Sequence, residues 1–150
     1  MTLQFKANLS DISDFSQIFN NLDGFEMDKI KKYLEQQKYP AHIPICAEGK
    51  RGDGIFLINQ GQVKVIKKTA EGAKPLGKLT KGDVFGEISF LADSVYSASV
   101  YTETECEITF LSAESFDKIK NKDKELAFKI MRALAGVLAK RLMVMNSLLL

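Results

Sequence analysis

Residues 82–100, GDVFGEISFLADSVYSASV, form the stretch around which the rest of this chain can be interpreted. The stretch opens on a glycine turn, passes through Gly86 and Glu87, and ends in an alternating run from Tyr96 to Val100. Glycine lets backbone N–H groups approach a ligand closely, and a short helix directs unpaired N–H groups toward negative charge. We therefore predict a pocket for a small anionic ligand, in which Glu87 accepts from hydroxyls. An ordinary turn is the alternative, because so short a motif also arises by chance.

The residues around this stretch predict an α+β fold. From about residue 39 to 111, short apolar runs separated by glycine turns indicate an antiparallel β-roll, jelly-roll-like, rather than a parallel α/β sheet. Glycine supplies the positive φ that tight hairpins require. The predicted strands are residues 43–47, 54–59, 62–68, 74–79, 83–85, 96–102 and 105–111.

Helical periodicity flanks the β-roll on both sides. Helices are predicted within about 11–37, where Asp23 and Glu26 have the spacing of a capping box, with the second helix running to about Gln37. After the roll, helices are predicted over about 113–147, with Ser112 as N-cap of a short helix and a long helix from about 123 to 146. The whole chain of 150 residues thus predicts one domain.

Composition excludes several classes of protein. Lys and Arg number 21 against 19 Asp and Glu, a formal charge of +2, so the chain lacks the basic surface that nucleic acid demands. No apolar stretch has the length of a membrane span, and the N-terminus lacks a signal-peptide pattern, so we expect no membrane association and a cytoplasmic location. Cys46 and Cys106 are predicted to be reduced, half-buried strand residues.

Catalysis is not expected. A cupin-like metal enzyme needs several histidines with a carboxylate, but this chain has one histidine, His42, between two prolines. A Ser/His/Asp or Cys/His arrangement is equally unsupported. We therefore predict no catalytic residues and no metal site.

The order of these motifs resembles the cyclic-nucleotide-binding domain family, which includes catabolite-activator-type regulators, kinase regulatory subunits and cyclic-nucleotide-gated channels. The likeness extends over about residues 19–141. It is carried by four motifs, which are Glu48-Gly49 with Gly52-Asp53, the strand residues 55–58, residues 61–65, and residues 81–88 with Phe85-Gly86-Glu87-Ile88.

In that family the opening stretch would be the phosphate-binding cassette. The resemblance implies that Glu87 takes the ribose 2′-hydroxyl and that backbone N–H groups face the cyclic phosphate. The implied ligand-binding residues, if a ligand binds, are Gly86, Glu87, Ile88, Ser89, Tyr96, Ser97 and Ala98. Ser89 and Ser97 suit an ordinary sheet face equally well. The only cofactor implied is a cyclic nucleotide.

The chain departs from the family at the position of the phosphate-clamping arginine. The family expects a Pro-Arg pair where this chain has Val95 and Tyr96. An arginine makes charge-assisted, often bidentate bonds to phosphate, each worth about 1.5–3 kcal/mol, so its loss weakens binding about a hundredfold or more. We predict a degenerate cassette that does not bind cyclic nucleotides in the usual way. The alternative is a sensor that binds a cyclic nucleotide or related anion in an atypical pocket.

The long C-terminal helix also has two interpretations. Its apolar stripe could pack on its own domain, or it could seat a second copy of the same helix in a homodimer, or a protein partner. The residues predicted for this seam are Met131, Leu134, Leu138, Arg141 and Met145. The catabolite-activator branch adds a helix-turn-helix after this helix, whereas this sequence stops at Leu150, so no DNA recognition is expected unless the chain is a fragment. The resemblance also implies a hinge near residues 120–123 that shifts the helix for a partner to detect.

Overall fold

A computed structural model of the protein describes residues 21–148. It contains eight strands and four helices in this part of the chain. The strands are β1 (Glu35–Tyr39), β2 (Pro44–Cys46), β3 (Gly54–Gln60), β4 (Val63–Thr69), β5 (Gly72–Leu79), β6 (Val84–Phe85), β7 (Ser99–Thr102) and β8 (Cys106–Ser112). The helices are α1 (Gly24–Lys31), α2 (Glu87–Ala92), α3 (Ala113–Lys122) and α4 (Lys124–Leu148).

The strands form two antiparallel four-stranded sheets. One has the order β1-β8-β3-β6 and the other β2-β7-β4-β5. Because consecutive strands alternate between the sheets at several points, the glycine-rich corners carry the chain across the roll. The structure thus confirms the predicted α+β fold class, an antiparallel β-roll with helices at both ends.

Helix α4 covers one sheet through an apolar stripe. Leu126, Ile130, Leu134 and Val137 are all buried and pack with Ile55, Leu57 and Leu111 of β3 and β8. A second cluster fills the inside of the roll, where Phe56 stacks between Phe85 and Phe110 with ring centroids 4.8 and 4.6 Å away. Of the two predictions for the long helix, packing on its own domain is therefore observed.

Two ion pairs fasten α1 to the start of α4. The Lys129 ammonium lies 2.8 Å from Glu26 Oε1, and the Lys29 ammonium lies 2.9 Å from Asp123 Oδ2. Asp123 separates α3 from α4, and its Oδ1 also accepts from the Leu126 N–H at 3.1 Å. Of the segment predicted as a hinge, residues 120–122 belong to α3, and only Asp123 is non-helical, held by an ion pair and by a capping bond.

One predicted element is wrong. The helix begun by the Asp23–Glu26 capping box forms, but it ends at Lys31 instead of continuing to Gln37. Residues Glu35–Tyr39 form β1, which pairs antiparallel with β8 from Glu35–Phe110 to Tyr39–Cys106. Backbone pairing with a long-range partner overrides the local helical period there. The helix predicted near residues 11–19 lies outside the described residues.

None of the helices within residues 21–148 has both the length and the apolar composition of a membrane span.

Candidate functional site

The site begins at the sharp turn between β6 and α2. Gly86 has φ +82°, and a Cβ there would lie 2.9 Å from the carbonyl oxygen of Gly54. Gly52 is equally constrained, because a Cβ there would lie 2.5 Å from the Ser89 Cβ. Only glycine allows both close approaches, so these two residues seat α2 against β3 and the turn before it. The carboxylate of Glu87 is thereby fixed at the first position of α2.

A cavity of about 350 Å³ opens between this turn, the second sheet and the end of α4. Its size falls in the range of about 300–1,000 Å³ typical of small-molecule sites. The lining residues are Cys46, Val65, Leu76, Gly77, Lys78, Leu79, Val84, Phe85, Gly86, Glu87, Ile88, Ser89, Tyr96, Ser97, Ala98, Val100, Arg141 and Met145. All seven residues predicted for a ligand site line this cavity.

The Glu87 carboxylate is paired with an arginine side chain from the C-terminal helix of the same chain. Arg141 Nη1 donates to Glu87 Oε1, and Arg141 Nη2 donates to the Val84 carbonyl oxygen at 3.0 Å. Glu87 and Arg141 are 4% and 9% exposed. A buried charge is tolerated only when it is paired and hydrogen-bonded, and this contact meets that condition for both residues.

The position of Arg141 follows from the buried stripe of α4. The stripe continues in steps of three or four residues from Leu134 and Val137 to Arg141, which therefore points at the roll. The sequence pattern predicts Arg141 at the dimer or partner seam and does not predict this contact. The missed signal is an arginine on the apolar face, which requires a buried partner.

Burial and pairing act on the Glu87 carboxyl in opposite directions. Desolvation raises the pKa of Glu87, and the Arg141 guanidinium lowers it, with burial the larger effect. The carboxyl is thus set apart from an ordinary surface glutamate by both its burial and its partner.

Tyr96 is engaged inside the roll instead of reaching for a ligand. Its hydroxyl donates to Asp53 Oδ1 at 2.6 Å and accepts from the Asp53 N–H at 3.3 Å. Its ring is buried in the cluster around Phe56 and Phe85. Burial, and next the bond to Asp53, raise the pKa of the Tyr96 phenol. The one neutral hydrogen bond that this residue could offer a phosphate is therefore given to Asp53.

Two further polar groups near the turn also have partners. Ser89 Oγ donates to the Val95 carbonyl at 3.2 Å, and the Ser97 carbonyl accepts from the Lys67 ammonium at 2.6 Å. Arg51 pairs with Asp93 at the surface and does not line the cavity.

The residues predicted for a dimer seam mostly pack against other residues of the same chain. Leu134 lies in the core and Arg141 faces the cavity, whereas Met131, Leu138 and Met145 are half-buried. The large exposed apolar side chains in the described part of α4 are Phe128, Leu142 and Met143. The homodimer itself stays a prediction, with its most accessible face at these three residues.

Comparison with known proteins now assigns the family. The model of the cyclic nucleotide-binding domain matches residues 36–123, and the chain belongs to that family. A cAMP-dependent protein kinase regulatory subunit from Neurospora crassa is 35% identical over 102 residues, which cover 68% of this chain and 26% of that protein. The chain thus spans about a quarter of the length of this relative.

Solved structures agree on the fold. The catabolite activator protein of Thermus thermophilus superposes with a TM-score of 0.76 at 27% identity, over 89% of this chain and 62% of that one. A cyclic nucleotide-binding domain from Methylobacillus flagellatus gives a TM-score of 0.78 at 23% identity, over 85% of this chain and 78% of that one. The resemblance inferred from the motifs is therefore confirmed.

Proposed function

We propose that this chain is a non-enzymatic regulatory module that does not bind cyclic nucleotides in the usual way and acts through dimerisation or a protein partner. Its relatives include kinase regulatory subunits, which supports the regulatory class. A cytoplasmic location is part of the same proposal.

The Arg141–Glu87 pair carries the proposal. A cyclic nucleotide held as the family resemblance implies needs the Glu87 carboxylate for its ribose and an arginine for its phosphate. Here the carboxylate is paired with Arg141 and the arginine is replaced by Tyr96, whose hydroxyl is bonded to Asp53. Binding in the usual pose would break a buried ion pair and would still leave the phosphate without its arginine.

A second function is an atypical sensor for a cyclic nucleotide or related anion. It is favoured by one observation, the open cavity of about 350 Å³ that still includes Gly86 and the turn backbone. In this function Arg141 would leave Glu87 and take the phosphate.

Calorimetric titration with cyclic AMP, cyclic GMP and a cyclic dinucleotide separates the two. The proposed module gives no heat with any of these ligands. Micromolar binding of a cyclic nucleotide that is lost in Arg141→Met would establish the sensor and end the proposal. The exposed-surface variant Arg132→Met, on the same helix, controls for general loss of positive charge.

In the proposed mechanism, the position of α4 on the roll is the output. Leu126, Ile130 and Leu134 attach one end of α4 to the sheet, and Arg141 attaches the other end to the cavity. The angle between α3 and α4 at Asp123 sets the direction in which α4 runs across the roll. A partner that binds the exposed face of α4 would detect any change in this angle.

A further inference from the structure

We propose that the cavity takes a neutral, largely apolar small molecule in place of a cyclic phosphate. This inference rests on the proposed function, because it concerns the same cavity after loss of the usual ligand. It differs in naming the class of molecule that the present lining would accept.

The charges around the cavity balance. Among the described lining residues, the charged side chains are Lys78, Glu87 and Arg141. Glu87 and Arg141 neutralise each other, and the Lys78 ammonium lies 3.3 Å from Glu103 at the rim. An incoming anion would add one uncompensated charge to a site whose cationic groups are already paired, and burying such a charge is costly. A neutral molecule meets no such cost.

Most of the remaining lining is apolar. Its main hydrophobic side chains are Val65, Leu76, Leu79, Ile88, Val100 and Met145. The polar side chains of Tyr96 and Ser89 have partners on the protein side. Transfer of apolar ligand surface from water to this lining is favourable. The cavity therefore favours a molecule recognised mainly by shape and apolar area.

The Arg141–Glu87 pair would contribute orientation. Side by side, the two groups offer a donor and an acceptor, so a hydroxyl or amide on the ligand could bond to the rim of the pair without breaking it. The ligand class is therefore a compact, mainly apolar molecule with one or two neutral polar groups.

Two fluorescent probes with the same ring skeleton test the charge requirement. N-phenyl-1-naphthylamine is neutral, whereas 8-anilinonaphthalene-1-sulfonate carries one additional sulfonate. We expect the neutral probe to bind at least about tenfold more tightly, because the sulfonate brings an unpaired charge. Equal affinities, tighter binding of the sulfonate, or no binding of the neutral probe would each overturn the inference.

A matched pair of variants tests the location. Met145 lines the cavity, and Met143, two residues earlier on α4, is 70% exposed and is not a lining residue. Met145→Lys should weaken binding of the neutral probe at least about fivefold, since it places a charge in the apolar lining, whereas Met143→Lys should leave it unchanged. An equal loss in both variants would place the probe on the helix surface and contradict the inference.

Titration of cyclic AMP into the probe-bound protein separates this inference from the proposed function. Displacement of the probe by micromolar cyclic AMP would contradict the proposed function itself. Absence of probe binding together with absence of cyclic AMP binding would contradict this inference alone and leave the proposed function standing.

Discussion

Arg141 of helix α4 forms a buried ion pair with Glu87, a residue 54 positions earlier at the start of α2. This contact joins the last third of the C-terminal helix to the glycine turn that lines the cavity. It therefore links two properties of the domain, the availability of the cavity and the position of α4.

Arg141→Ala should lower the free energy of unfolding by about 3–5 kcal/mol, because it leaves Glu87 buried without its cationic partner. Denaturant unfolding measures the change. The matched control is Arg132→Ala, an exposed arginine of the same helix, for which we expect a change within about 0.5 kcal/mol.

Replacing both partners should recover most of that loss. In Glu87→Leu with Arg141→Met, neither charge is buried, and apolar replacements of buried ion pairs are often neutral or stabilising. If Arg141→Ala alone were as stable as the native chain, the pair would contribute nothing to folding and the attachment of α4 at the cavity would be disproved.

Asp123 should make folding stability depend on pH in the acid range. A hydrogen bond from Lys29, and next one from the Leu126 N–H, lower the pKa of Asp123 below its ordinary value of 3.8. The folded state thus binds this proton more weakly than the unfolded state. Its contribution is complete above about pH 5 and is lost as the pH falls through the folded-state pKa.

Comparison of the native chain with Asp123→Asn isolates this contribution. The asparagine oxygen can still accept from Leu126, but the charge facing Lys29 is removed. The stability difference between the two proteins should shrink as the pH is lowered from 5 toward 2. A difference that is constant over this range would show that the Lys29 contact is not formed in solution.

Much of the fold could be predicted because its signals are local. Glycine turns at Gly61, Gly72 and Gly82 separate the strands, and each of these residues has positive φ. The caps at Asp23 and Ser112 also form as predicted, with bonds to the N–H groups of Glu26 and Ser115. Strand β1 was missed because its pairing with β8, about 70 residues later, leaves no local pattern.

The site was predicted only in part, for a similar reason. The motif identified Glu87, and the substitution at Tyr96 indicated a changed pocket. The partners of these side chains, Arg141 and Asp53, lie 54 and 43 residues away in sequence. Sequence spacing alone could not predict these two pairs, although the apolar stripe of α4 does predict that Arg141 faces the roll.

The dimer prediction now has a sharper test. A charge at Leu134 would unfold the domain, because this residue is only 1% exposed. Leu142, which is 60% exposed beside Met143, is the better site. Leu142→Asp should convert a dimer to a monomer in sedimentation equilibrium with little change in folding stability. A native chain that is monomeric at all concentrations would contradict the homodimer and leave a different protein as the partner.

The most direct test of the account is the affinity for cyclic AMP across four proteins: the native chain, Tyr96→Arg, Arg141→Met, and the two changes combined. Circular dichroism should first establish that each variant is folded. We predict no measurable binding by the native chain or by Arg141→Met. Tyr96→Arg should bind detectably, because charge-assisted and often bidentate bonds to the phosphate strengthen binding about a hundredfold or more. The combined variant should bind most tightly, because Glu87 is then free for the ribose. Micromolar binding of cyclic AMP by the native chain would contradict the proposal that this site no longer binds cyclic nucleotides in the usual way.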